Sequence, residues 1–187
     1  VGAATNFNLE LGRKRPKRAK SVAGTAVTML LLGGMALCIL INIFLRPMLT
    51  AFGATNQIFD YAIEYTQITS LGIPFLLFAI GANPLVRADG NAFYSMLAIV
   101  VGSLVNTILD PLFMFGFDMG MDGAAWATVI GQFVSAVILA LYFFRFKSVK
   151  FELRDFKIKI REIGILFAFG TSPFIFQCSA LVIQIVT

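Results

Sequence analysis

The sequence is 187 residues long, 58% hydrophobic and only 13% charged, with a mean hydropathy of +0.85 and a net charge of +5. A soluble domain carries about 25% charged residues, so this composition excludes an ordinary water-soluble fold and points to an all-α, polytopic membrane helix bundle. Histidine is absent, which excludes imidazole metal sites, and the two cysteines, Cys38 and Cys178, lie in apolar runs as small buried hydrophobes without disulfide or zinc spacing.

In chain order, Val1 to Leu11 reads as the tail of a spanning helix that starts upstream. Neither terminus carries a natural boundary, and the sequence reads as a fragment of a longer chain. Gly12 to Lys20 holds six basic residues in nine. Such a run binds nucleic acid, acts as a nuclear signal or anchors on anionic lipid. The span that follows at once favours the lipid anchor, with no nucleic-acid partner. The first span is expected from Val22 to Leu45, with Gly33-Gly34 allowing close helix approach and Arg46-Pro47 ending it. Phe52 to Gln57 is a turn-rich link. The second span, Tyr61 to Val86, is expected to kink at Pro74. Arg87 to Asn91 is a tight connection in which Gly90 suits positive φ.

The third span, Phe93 to Phe115, is followed by a short acidic, glycine-rich link over Gly116 to Asp122 and a fourth span from Gly123 to Phe144. Arg145 to Arg161 is a basic, aromatic connector lying on the membrane, either a hinge between two halves or a plain linker. A fifth span begins near Ile163 and carries Gly170 and Pro173. Alternate links share a side, and the links 12–20, 87–91 and 145–161 hold fourteen of the fifteen Lys and Arg, leaving only Arg46 opposite. Those three links are therefore expected in the cytoplasm.

An acid in a membrane-length apolar run is costly and is a functional candidate by default. Asp110 in the third span is such an acid. Asn106 lies four residues before it, on the same helix face. Counted from the outer span ends at ~1.5 Å per residue, Asp110, Thr128 of the fourth span and Tyr65 of the second share a depth, with Asn106 one turn deeper. These four side chains can converge on one outward-facing pocket where a proton or a sodium ion neutralises Asp110. Pro111 frees the carbonyl of Thr107, which must be buried or line a cavity. The bland alternatives stay open: Asp110 snorkels to the surface, Tyr65 belongs to an interfacial belt, Thr128 bonds its own backbone. Gln132, one turn further in, is a weaker cavity candidate, and Gln177 in the fifth span faces a central cleft or a neighbouring helix.

The chain resembles the multidrug and toxic compound extrusion (MATE) transporters. The signals are Phe52-Gly-Ala-Thr55, Val86-Arg-Ala-Asp-Gly-Asn91, Asn106-Thr-Ile-Leu-Asp-Pro-Leu-Phe113 and Gly123-Ala-Ala-Trp-Ala-Thr-Val-Ile-Gly-Gln132 in this order. The resemblance implies about five helices of a twelve-helix, two-lobe transporter. Residues 1–144 would be an amino-terminal lobe holding the end of helix two and helices three to six. Residues 145–162 would be the cytoplasmic inter-lobe connector, and 163–187 the start of helix seven. It also implies a cation site in which Asn106 and Asp110 match a helix-five pair, with Tyr65 and Thr128 as supporting groups. Asn83 matches a helix-four asparagine by type, although its depth puts it near the cytoplasmic end. The acid of helix one is missing from this sequence, and the fragment alone is not expected to transport.

The implied function is a cation-coupled antiporter in the plasma (inner) membrane. It would export amphipathic, often cationic organic compounds, using H+ or Na+ as coupling ion, with no cofactor and no metal beyond a sodium at Asp110. Its partners would be the lipid bilayer, the small organic substrates and the remainder of the same chain. Phe75, Met114 and Phe174 either line a drug cleft or pack against lipid. A lipid-linked oligosaccharide flippase would carry a strongly cationic cleft, whereas the basic residues here lie in the links. A non-transporting scaffold leaves Asp110 unexplained. An enzyme is not expected, since the chain has no His, no metal spacing and no Gly-x-Ser-x-Gly elbow.

Overall fold

The computed structural model describes residues 2–51 and 59–146, together with 164, 166, 170, 171, 175 and 179. Five helices fill the two continuous segments: α1 (Gly2–Gly12), α2 (Pro16–Ala51), α3 (Phe59–Ala88), α4 (Ala92–Pro111) and α5 (Gly120–Phe143). No strand occurs among the described residues. α2, α3, α4 with its π-helical extension to Gly116, and α5 are each long and apolar enough to cross a membrane. The Phe52–Gln57 link, the connector beyond Phe146, Gln177, Phe174, Pro173 and Cys178 lie outside the described residues, as does most of the fifth span.

α1 closes where Arg15 N–H bonds the Glu10 carbonyl (2.9 Å) and Lys14 N–H bonds Leu11 (2.9 Å), with Lys14 in the left-handed region at φ 57°. α2 then starts at Pro16, whose fixed φ suits a first helical position. Lys17, Arg18 and Lys20 therefore stand on the helix itself, at the end where its dipole disfavours cations.

The expected stop at Arg46-Pro47 is corrected: α2 runs through Pro47 to Ala51. α3 likewise runs through Pro74 and Pro84. Away from water, a carbonyl freed by proline has no competing solvent, and side chains and neighbouring helices compensate, so the helix persists. At the end of α2 the Thr50 hydroxyl donates to the Arg46 carbonyl (2.9 Å). α4 is capped by Asn91, whose Oδ1 accepts from Tyr94 N–H (3.1 Å), just after Gly90 at φ 88°. Past Pro111 the chain winds into one π-helical turn, Leu112–Gly116, with Phe117 N–H bonded to the Leu112 carbonyl (3.0 Å). Asp118 (φ 55°) and Gly120 (φ 57°) then reverse the chain into α5.

The spans pack in the spatial order α2, α3, α5, α4, and α2 does not touch α4 among the described residues. Glycines set the crossings. A methyl group on Gly34 would lie 2.6 Å from Pro74 Cα, and one on Gly123 would lie 2.8 Å from the Phe113 backbone. The large, fully buried side chains cluster at the end carrying the basic residues: Phe7, Val22, Leu85, Val86, Leu139 and Tyr142. Rings meet there too, Tyr94 with Tyr142 at 4.8 Å and Phe143 with Phe146 at 5.0 Å between centroids. Toward the opposite end, which bears Asp60, Glu64, Asp118 and Asp122, the buried positions of α5 narrow to Gly123, Ala125, Ala127, Val129 and Gly131.

Candidate functional site

α4 and α5 cross on two glycines. A methyl group on Gly131 would stand 2.8 Å from both Asn106 Cβ and the Gly102 carbonyl oxygen, and one on Gly102 would run into the Ser135 hydroxyl. Backbones this close bring short polar side chains on the two helices within reach of each other. Asn106 Nδ2 lies 3.4 Å from Thr128 Oγ1, and Ser135 Oγ donates to the Ala98 carbonyl (2.9 Å).

Beside this crossing, α3, α4 and α5 border an open cavity of about 470 Å³. Its polar lining is Asn83 from α3, Ser103 and Asn106 from α4, and Thr128, Gln132 and Ser135 from α5; the rest is Leu, Ile, Ala, Gly and Pro. Asn106, Thr128, Asn83 and Gln132 are thus brought to one cavity. Asp110 lies one turn beyond Asn106, half-buried and outside the lining. Its Oδ1 is wholly enclosed and has no hydrogen-bond partner. Tyr65 is half-buried on α3 and also outside the lining. Gln177 lies outside the described residues.

The hydrogen bonds fix what the cavity offers a ligand. The Thr128 hydroxyl donates to the Ala124 carbonyl (3.0 Å), so toward Asn106 it can only accept. The amide nitrogen of Asn106 must then face Thr128, leaving its oxygen free. Thr128 both bonds its own backbone and joins Asn106, so the two readings of this residue are compatible. The Ser135 proton is committed to Ala98 in the same way. Asn83 Nδ2 donates to the Ser95 carbonyl (3.0 Å), and since a carbonyl only accepts, Oδ1 is the atom left for the cavity. Gln132 Oε1 is buried, unpartnered and pressed against Gly72, where a methyl group would overlap it. The lining is therefore mixed: Asn106 and Asn83 keep an uncommitted oxygen each, while the Gln132 amide nitrogen and the Ser103 hydroxyl remain able to donate.

Ser103 and Ser135 were not singled out in the sequence, although helical spacing carries the signal. Ser103, Asn106 and Asp110 follow i, i+3, i+7, and Thr128, Gln132 and Ser135 follow i, i+4, i+7. The π turn directly after Asp110-Pro111 has no such signature, because proline announces a lost bond but not the i→i−5 pattern that follows. A second polar contact, Asn42 Nδ2 to Ser70 Oγ (2.7 Å), ties α2 to α3.

The MatE family model matches residues 2–112. The multidrug export protein MepA of Staphylococcus aureus is 28% identical over 153 residues, covering 80% of this chain and 33% of MepA. A solved MATE structure in the straight conformation superposes with a TM-score of 0.89 at 27% identity, over 99% of this chain and 42% of the other. An inward-facing multidrug resistance MATE family transporter gives 0.85 at 27% identity, over 91% and 39%. The chain spans about a third of the length of the curated relatives it matches.

Proposed function

This chain belongs to the MATE family of multidrug efflux transporters, and on that premise we propose that the full-length protein is a cation-coupled antiporter. It exports amphipathic organic compounds across the plasma membrane in exchange for an inward-moving proton or sodium ion. The end carrying the basic residues faces the cytoplasm in this reading. The named relative exports multiple drugs, and the half-buried carboxylate of Asp110 supplies the site where charge is exchanged.

The observation that carries the reading is the enclosed, unpartnered Oδ1 of Asp110, one turn from the Asn106–Thr128 contact. An ionised carboxylate without a partner in an apolar bundle is far more costly than a neutralised one. Proton or cation binding removes that cost, and the polar cavity alongside provides the uncommitted oxygens of Asn106 and Asn83. Exchange of the cation then shifts the balance between conformations by its differential affinity for them. Tyr65 supports the same region in this proposal from α3, and Gln132 and Asn83 extend the polar lining toward the basic end.

The test is ion-driven efflux of a fluorescent cationic dye from inverted vesicles holding the full-length protein. Asp110→Asn keeps the shape and removes the exchangeable charge. It is expected to abolish driven efflux at unchanged membrane abundance. Efflux at the wild-type rate would remove Asp110 from the coupling step.

A further inference from the structure

The cavity has a floor. Beneath Asn83 and Pro84 of α3, Ile99 of α4 and Ser135 of α5, the bundle closes on Leu85, Val86, Ala98 and Leu139, each without solvent exposure. One hydrogen-bonded thread leaves the cavity through this dry layer. Asn83 Nδ2 donates to the Ser95 carbonyl (3.0 Å), and the Ser95 hydroxyl, fully buried, accepts from Arg87 Nε (3.0 Å). Arg87 itself is exposed, in the last turn of α3. The thread therefore runs from the polar-lined cavity to a tethered guanidinium at the basic end, in two bonds.

We propose that Arg87 is the inner ion barrier of the site: its fixed positive charge, held under the cavity by Ser95, stops the coupling cation from leaking through the α3/α4/α5 seam to the basic face without substrate exchange. This rests on the cation-coupled reading above. A guanidinium is charged at every physiological pH, and a fixed positive charge at a constriction repels both hydronium and sodium. Serine fits the position because it serves both ends of the thread with different groups. Its backbone carbonyl holds Asn83, and its side chain holds Arg87. An arginine serving only as a lipid-surface anchor or as a helix C-terminal charge has no need of a bond to a buried hydroxyl.

The test uses full-length protein in proteoliposomes loaded with a pH-sensitive dye, under an imposed pH gradient and no drug, with a parallel sodium-gradient assay. Arg87→Gln is expected to speed gradient decay roughly tenfold as the fixed charge is lost. Arg87→Lys, which keeps the charge, stays tight. Adding Asp110→Asn to Arg87→Gln restores tightness, because the leak runs through the site. A tight Arg87→Gln, an equal leak in the lysine variant, or a leak that persists in the double variant each overturns the barrier. If Arg87→Gln fails to insert, Ser95→Ala releases the guanidinium yet leaves the Asn83 bond to the backbone intact; it is expected to leak, and a tight Ser95→Ala overturns the proposal. The two readings fail separately. Full dye efflux by Asp110→Asn sinks the coupling assignment, whereas a dead Asp110→Asn beside a tight Arg87→Gln sinks only the barrier.

Discussion

Thr128 has two jobs of opposite polarity. Its proton is held by the Ala124 carbonyl, and its lone pair receives Asn106. Thr128→Val keeps the volume and removes both. The freed Asn106 amide nitrogen then competes for the oxygens of the cation site proposed above. The cation concentration that half-saturates protection of the full-length protein against heat is expected to rise several-fold, with Thr128→Ser close to wild type. Gly131 is stricter still. A methyl group there would stand 2.8 Å from Asn106 Cβ and from the Gly102 carbonyl, so Gly131→Ala must push α4 off α5. Overpacking of this kind costs about 1–3 kcal/mol, read as a lowered melting temperature in detergent together with lost dye efflux. The meeting of Asn106 with Thr128 is legible from depth along the spans. The placement of Asp110 and Tyr65 outside the cavity lining is not, because counting residues fixes height in a helix but not the side on which its neighbours stand.

Among the elements, α4 joins the most closely controlled start to the least regular finish. Asn91 caps it through Tyr94 N–H, and Gly90 supplies the positive φ just before. Asn91→Ala is expected to cost about 0.5–2 kcal/mol, measured by thermal unfolding, with Asn91→Ser or Asn91→Asp restoring most of it. At the far end, Pro111 opens the π turn that carries Phe113 against Gly123 of α5. The Asn91 start is readable because a cap residue, a glycine and an apolar run stand in the expected order. The finish is not, and neither is the continuation of α2 through Pro47. In both places a proline rule learned in water meets a helix whose freed carbonyls have no water to turn to. The order of the four described spans survives these local departures, since each depends on twenty or so apolar residues rather than on one.

For the molecule as a whole, charge and packing follow the same axis. The basic turn and helix start at 13–20 lie at one end of the bundle with Arg87, and Asp60, Glu64, Asp118 and Asp122 at the other, where a cavity of about 430 Å³ opens among Glu64, Asp118 and Asp122. In cells carrying a full-length protein with every cysteine removed, Cys38 and Cys178 included, a membrane-impermeant maleimide is expected to label Met119→Cys from outside and Lys17→Cys only after lysis. The reverse pattern would invert the topology.

The filling of the bundle follows that axis too, with rings and leucines at the basic end and glycine and alanine along α5 toward the acidic end. Rods held by bulky side chains at one tip and by close glycine and alanine contacts at the other behave like tongs. A tilt of about 5° at the clamp carries the far tip of a 30-residue helix through about 4 Å, at ~1.5 Å of rise per residue. In the antiport cycle proposed above, such a tilt would part the acidic-end face while the basic end keeps its packing, with the small-residue seams taking up the movement.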